Sequence, residues 1–155
     1  MLTTGWPIGL GTVTDDGAVE ANRALVTRFW DDLYRHDFDA CGAYFTDDGV
    51  YTDVPVGEIG ATGPAEVAAR LRLGLEPIDR NVHHIRHIVC DSDIVMTEHG
   101  EEWFWPSGEH VALPFVSVME LRDGKIARWW DYFNLPTLLD AAPQWWLDHI
   151  AKGYR

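Results

Sequence analysis

Residues 82–133 read VHHIRHIVCDSDIVMTEHGEEWFWPSGEHVALPFVSVMELRDGKIARWWDYF. Three turn signals interrupt this stretch: Cys90-Asp91-Ser92-Asp93, Pro106-Ser107-Gly108-Glu109 and Arg122-Asp123-Gly124-Lys125. Between and around them lie four runs rich in β-branched and aromatic residues, 82–89, 94–105, 110–121 and 126–133. Long strands joined by short turns pair as antiparallel neighbours, so the stretch predicts a meander.

The chain before it changes period. Over residues 20–36 the apolar positions Leu25, Val26, Phe29, Trp30 and Leu33 recur at three and four, which predicts an amphipathic helix. A shorter helix is expected at 38–45. Asp47-Asp48-Gly49 then reads as a turn into a strand at 50–54. Pro55 and residues 57–63 read as a loop, and Pro64, at a first helical position, opens a third helix to residue 75. Residues 136–152 close the chain as a helix interrupted at Pro143. Residues 1–18, with Gly5, Pro7, Gly9 and Gly11, read as an extended arm, and 19–155 as one domain. Helices followed by a curled sheet make an α+β domain, with the helices on one face and a ligand-sized cavity between the layers.

Bulk properties narrow the function. The formal net charge is −13, from 12 Lys and Arg against 25 Asp and Glu, too few cations to displace the counterions of nucleic acid or to hold an anionic membrane surface. No apolar run is long enough to cross a bilayer. Cys41 and Cys90 form no CxxC pair and read as free thiols, and the N-terminus has neither the basic nor the apolar region of a signal peptide. A cytoplasmic protein is the expectation. Eight tryptophans supply large apolar surfaces for a core or a pocket.

Side chains alternate across a strand, so Tyr51 shares a face with Asp53, His99 with Glu101 and Trp103, and Asp131 with Trp129 and Phe133. Strand 110–121 has an apolar face of Val111, Leu113, Phe115, Met119 and Leu121, whereas strand 94–105 mixes Ile94, Met96 and Phe104 with Glu98 and Glu102, leaving its buried face open. Asp131 lies within Trp129-Trp130-Asp131-Tyr132-Phe133, where an ionised carboxylate is costly unless paired. The residues alone leave open whether it is catalytic or a structural acid satisfied by a backbone or indole N–H. His83, His84 and His87 form HHxxH, but a regular strand puts His83 and His87 on one face and His84 on the other, and nothing completes a zinc pattern. No metal and no cofactor are expected.

Three of these segments, Thr97-Glu98-His99-Gly100-Glu101, Arg122-Asp123-Gly124-Lys125-Ile126 and Trp130-Asp131-Tyr132-Phe133, together resemble the limonene-1,2-epoxide hydrolase family. That family belongs to the wider fold of nuclear transport factor 2, ketosteroid isomerase and the SnoaL-like polyketide cyclases. Val50-Tyr51-Thr52-Asp53-Val54-Pro55 is a weaker match. The resemblance implies a cone-shaped NTF2-like fold, a curved mixed or antiparallel sheet packed against N-terminal helices around one pocket. It also implies one-step epoxide hydrolysis without a covalent intermediate. On that likeness Asp131 is the base and Tyr51 helps to hold the water. Asp53 stands where the family has asparagine, Glu101 takes the place of the acid aspartate, and His99 that of an arginine bridging the two carboxylates. Three acids brought together must share a proton, because like charges raise at least one pKa.

The expected pocket walls are Trp103, Leu113, Phe115, Trp129 and Phe133, and the expected partner is a small hydrophobic substrate. A homodimer is expected through the outer sheet face, where the even-numbered apolar residues of strands 94–105 and 110–121 need cover. Two other readings remain: a dehydratase or isomerase using a His99–carboxylate pair beside a carbonyl, and a non-catalytic module that binds a small molecule.

Overall fold

The structure, a computed structural model, describes residues 16–58 and 60–155. As far as residue 15 the expected N-terminal arm lies outside them, and Asp16 already belongs to the first helix. In chain order the described elements are α1 (Asp16–Tyr34), α2 (Phe38–Ala43), β1 (Phe45–Asp53), a 3₁₀ turn at Val54–Val56, β2 (Ala61–Thr62), α3 (Gly63–Leu75), β3 (Arg80–Asp91), β4 (Ile94–Phe104), β5 (His110–Arg122), β6 (Lys125–Phe133), α4 (Leu135–Ala141) and α5 (Gln144–Ile150).

The meander is present as four consecutive antiparallel strands, β3 to β6. Its last hairpin turns on Asp123 (φ 52°) and Gly124 (φ 73°), the two left-handed residues a type I′ turn requires. β1 adds to the far side of β6 in parallel, giving one sheet ordered β2-β1-β6-β5-β4-β3. A parallel neighbour needs a long connection, and here nearly the whole chain between the two strands supplies it. The domain is therefore an α+β, NTF2-like fold with a mixed sheet.

Two departures from the sequence reading have physical causes. β1 begins at Phe45, not at residue 50, because Asp47-Asp48-Gly49 is an irregularity inside the strand, where pairing with β6 shifts register between Phe45 and Val50. Gly49 makes this possible: a Cβ there would sit 2.8 Å from the carbonyl oxygen of Ile126. In β3 the register slips by one residue between Ile85 and His87. His83 therefore pairs beside Glu101 while His87 pairs beside Glu98, so the two histidines do not share a face as a regular strand would have them.

Burial settles the face that periodicity left open. In β4 the odd residues Val95, Thr97, His99, Glu101 and Trp103 are buried, and in β5 the odd residues from Val111 to Leu121. This concave face packs on Val26, Phe29, Trp30 and Leu33 of α1 and on Val67 and Leu71 of α3. Phe29 and Trp30 meet Trp129 edge-on at 5.1 and 5.6 Å, fixing α1 across the middle of the sheet. No described helix is long and apolar enough to cross a membrane.

Candidate active site

Strand register builds the site. Asp53 lies opposite Asp131 across β1 and β6, and Asp131 opposite Ser117 across β6 and β5. His99 and Glu101 lie opposite Phe115 and Leu113 across β4 and β5, and Glu101 opposite His83 across β4 and β3. Residues facing each other across paired strands point to one side of the sheet. Asp53, Asp131, Ser117, His99, Glu101 and His83 thus form a polar row over five strands of a concave face that is otherwise apolar.

Asp131 is 3% exposed, and its Oδ1 takes two hydrogen bonds, from the Trp129 indole Nε1–H at 2.6 Å and from the Ser117 hydroxyl. Both donors land on the same oxygen, leaving Oδ2 for the cavity that Asp131 lines. Glu101, 5% exposed, accepts the Trp103 indole Nε1–H on Oε2 at 2.8 Å. Its Oε1 lies 3.6 Å from His99 Nδ1. Burial pushes Glu101 up to about 7, with the Asp53 charge adding to the effect. Burial and then the Asp53 charge lift Asp131 well above the usual carboxylate range, against the lowering by its Ser117 and Trp129 donors. Two acids this close titrate as a pair, and near neutrality the pair retains a proton. The Tyr34 hydroxyl on α1 is buried without a normal hydrogen bond. Burial, and next the Glu101 carboxylate nearby, keep it a phenol far above its usual range.

His99 connects the row. Its Nε2 lies 2.8 Å from Ser117 Oγ and its Nδ1 3.0 Å from His83 Nε2. The ring packs against Trp30 at 4.6 Å and stacks on Phe115 at 5.3 Å. Burial, with His83 beside it, pushes His99 down to about 3; burial, with His84 beside it, pushes His83 down to about 4. Both rings are neutral at physiological pH. The expected role of His99 as a stand-in for a charged arginine bridging two acids does not fit a ring held neutral by burial.

The permanent cation comes from elsewhere. Arg70, about two turns into α3, donates Nε–H and Nη2–H to Oδ2 of Asp53 at 3.1 and 2.7 Å. Oδ1 of Asp53 accepts the Tyr51 hydroxyl at 2.7 Å. Against the lowering by burial, the Asp53 charge raises Arg70 above its already high value. Burial and then the Asp53 and Asp131 charges raise Tyr51 well above the usual phenol range, so its proton stays in place as a donor. The Tyr51 ring stacks on Trp129 at 3.9 Å, tying this cluster to the wall behind Asp131.

The row opens into a cavity of about 590 Å³ between the concave face and α3, α4 and α5. Tyr51, Asp53, Glu101 and Asp131 line it, with Trp103, Phe115, Trp129 and Phe133. Two residues expected there are not among its lining. Leu113 is buried in the core, and His99 is one layer removed, reaching the cavity only through Ser117, Asp131 and Glu101. Sequence reasoning missed Arg70, Ser117 and Tyr34, and weighed His83 only as a metal ligand. Ser117 left a readable trace, as the polar member of the apolar odd face of β5. Arg70 left none, because it is brought to Asp53 by the packing of α3 on β1. Among the described residues no group of three or more His, Cys, Asp or Glu side chains is arranged to hold a metal ion.

The SnoaL-like domain profile matches residues 26–129. The chain belongs to the SnoaL-like family. No curated protein matches it. Solved structures do. A Mycobacterium tuberculosis protein described as an LEH-like epoxide hydrolase is 24% identical, with a TM-score of 0.67 over 87% of this chain and 98% of that one. A Catenulispora acidiphila protein of ketosteroid isomerase-like fold, in complex with trimethylamine, is 21% identical, with a TM-score of 0.68 over 83% and 93%. A Jannaschia sp. CCS1 protein named as a SnoaL-like polyketide cyclase is 17% identical, with a TM-score of 0.73 over 86% and 99%. At these identities the likeness carries the fold, and the chemistry of this SnoaL-like chain has to be argued from its own side chains.

Proposed function

We propose that this SnoaL-like protein hydrolyses an epoxide on a small apolar substrate by one-step attack of water, with Asp131 as base and Glu101 as acid. The observation that carries the reading is a pair of buried carboxylates on one sheet face at the floor of a mostly aromatic cavity, both raised by that burial. Epoxide opening needs a base for water and an acid for the oxygen at the same moment.

Water held by Asp131 Oδ2 attacks a ring carbon and gives that oxygen its proton. The C–O bond breaks as Glu101 protonates the leaving oxygen, and the product is a vicinal diol. Tyr51 spends its proton on Asp53, so its oxygen accepts the second O–H of the water and aims the lone pair. Asp131 takes hydrogen bonds from Ser117 and Trp129 on one oxygen, and Glu101 takes one from Trp103 with the Tyr34 hydroxyl beside it; in this reading Asp131 carries the charge and Glu101 the proton. Trp103, Phe115, Trp129 and Phe133 exclude bulk water and suit a terpene- or polyketide-like skeleton. The reading of His99 with a carboxylate as a dehydratase or isomerase base finds no support, since the ring nitrogens are engaged and the ring does not line the cavity.

Small apolar epoxides supplied in heavy-oxygen water test the reading. Diol carrying one heavy oxygen in the first turnover is the expected result. An absence of diol across the panel, or unchanged diol formation by Asp131→Asn, overturns it. A homodimer through the outer sheet face is part of the same proposal. Val89, Met96, Val116 and Tyr132 are exposed there, and sedimentation at micromolar concentration reads the mass directly.

A further inference from the structure

Three side chains that touch no substrate link the base to the edge of the sheet: Ser117 to Asp131, His99 to Ser117, His83 to His99. Resting on the acid–base reading above, we propose that His83, His99 and Ser117 are positioning residues forming a one-way chain of donors, which fixes His99 as its Nε2–H tautomer and thereby decides which carboxylate carries the shared proton.

Proton counting gives the direction. Oδ1 of Asp131 already accepts the Trp129 indole N–H, so a proton on this carboxyl would sit on Oδ2 and the single hydroxyl proton of Ser117 points to Oδ1. Ser117 Oγ can then only accept from His99, which requires hydrogen on Nε2. A neutral imidazole has one N–H, so Nδ1 presents a lone pair, and at 3.0 Å it takes hydrogen from His83 Nε2. The Trp129 indole, a donor and never an acceptor, reinforces the same polarity at Asp131 Oδ1.

The same nitrogen, without a hydrogen of its own, lies 3.6 Å from Glu101 Oε1. A lone pair repels a carboxylate and tolerates a carboxylic acid. With no hydrogen of its own on Nδ1, His99 cannot donate to Glu101, so Glu101 is the acid that keeps the proton, and Asp131, fed by donors, is the base that does not. Reversing the chain exchanges the roles. His83 is suited to hold the far end, because it stacks on Tyr34 at 4.0 Å and packs on Trp30 at 5.2 Å, which keeps its ring in one orientation. The charged and titratable groups around the chain are Tyr51 and Asp53 on β1, Arg70 on α3, Tyr34 on α1, His84 on β3 and Glu101 on β4. Of these only Arg70 is a fixed cation, and it is spent on Asp53.

Nitrogen-15 NMR of the histidine rings in the intact protein at pH 7 tests the proposal without needing turnover, with the His99 signals assigned by their loss in His99→Gln. A neutral ring protonated on Nε2 is expected; a ring protonated on Nδ1, or on both nitrogens, overturns the proposal whether or not the protein hydrolyses epoxides. The expected tautomer in a protein that makes no diol leaves the chain standing and removes the hydrolase reading alone. In an active protein, Ser117→Ala and His83→Phe should each raise the acidic limb of the kcat/KM profile by about one pH unit. Ser117→Thr and His83→Gln, which keep a donor in place, should restore it. A limb unmoved in all four variants overturns the proposal.

Discussion

The two sides of the cavity floor hold carboxylates under opposite regimes. On the β1 side, Asp53 takes two N–H bonds from the fixed cation Arg70 and a hydroxyl from Tyr51, so its charge is compensated where it stands. On the β4–β6 side, no cation among the described residues hydrogen-bonds to Glu101 or Asp131. Neutral indoles, a hydroxyl and a neutral imidazole surround them, and burial raises both. Placing a permanent charge pair beside an uncompensated pair of acids keeps a proton in the site without neutralising it. The Asp53 charge, beside Arg70, raises both of its neighbours.

The largest effect that tests this contrast is Asp131→Asn. The amide fits the same space but cannot take a proton from water, and turnover of an epoxide should fall by a hundred- to ten-thousandfold. Substrate binding and the melting temperature should change little, which a steady-state assay and calorimetry check together. A comparable loss from neutralising Asp53 instead would put the base on the wrong side of the floor.

Glu101→Gln should alter how stability depends on pH. The Glu101 carboxyl titrates near 4.5 unfolded and about 7 folded, so the folded chain binds the extra proton between those values. Its contribution to stability is complete below pH 4.5 and is lost as pH rises through 7, by about 3 kcal/mol in all. His99 and His83 run the other way. They are ordinary near 6.5 and depressed to about 3 and 4, so stability falls as pH drops below 6.5. In the parent the slopes oppose each other between pH 4.5 and 6.5. In Glu101→Gln only the Asp131 carboxyl is left to oppose the two histidines, so urea melts over that range should show stability climbing with pH.

Arg70→Met should cost about 2 kcal/mol at pH 7, because it leaves Asp53 partly buried without its cation. That figure is below the one for a fully buried pair, since both side chains keep about 15% of their surface. The variant should also shift the pH–rate profile, because the Asp53 charge that acts on Glu101 and Asp131 loses its compensating cation. A pH–rate profile and a denaturant melt measure the two effects separately.

How much of this could be read beforehand differs between the same two sides. The meander and its turns followed from residues 82–133, and strand parity put Glu101 with His99 and Asp131 with Trp129, because side-chain direction in a strand is a matter of counting. Counting failed where the count was broken. The extra residue in β3 turned His87 away from His83, and the irregularity at Asp47-Asp48-Gly49 belonged to a strand where a turn was expected. Arg70 lay beyond counting altogether, since nothing local relates a residue of α3 to one of β1. The neutrality of His99 was equally hidden, because it depends on Trp30 and Phe115 closing over the ring.

The smallest effect is the most discriminating for the water. Tyr51→Phe removes one hydroxyl and keeps the ring stacked on Trp129. Asp53 retains both bonds from Arg70, so the lost hydrogen bond should cost about 1 kcal/mol of stability or less. If the Tyr51 oxygen aims the attacking water, kcat should drop about tenfold while KM stays level, since an apolar substrate makes no use of that oxygen. If Tyr51 merely supports Asp53, kcat should track the small stability change and the pH profile should shift toward that of Arg70→Met. The two sides of the floor meet at this one hydroxyl, and the division between kcat and pH profile tells which side it serves.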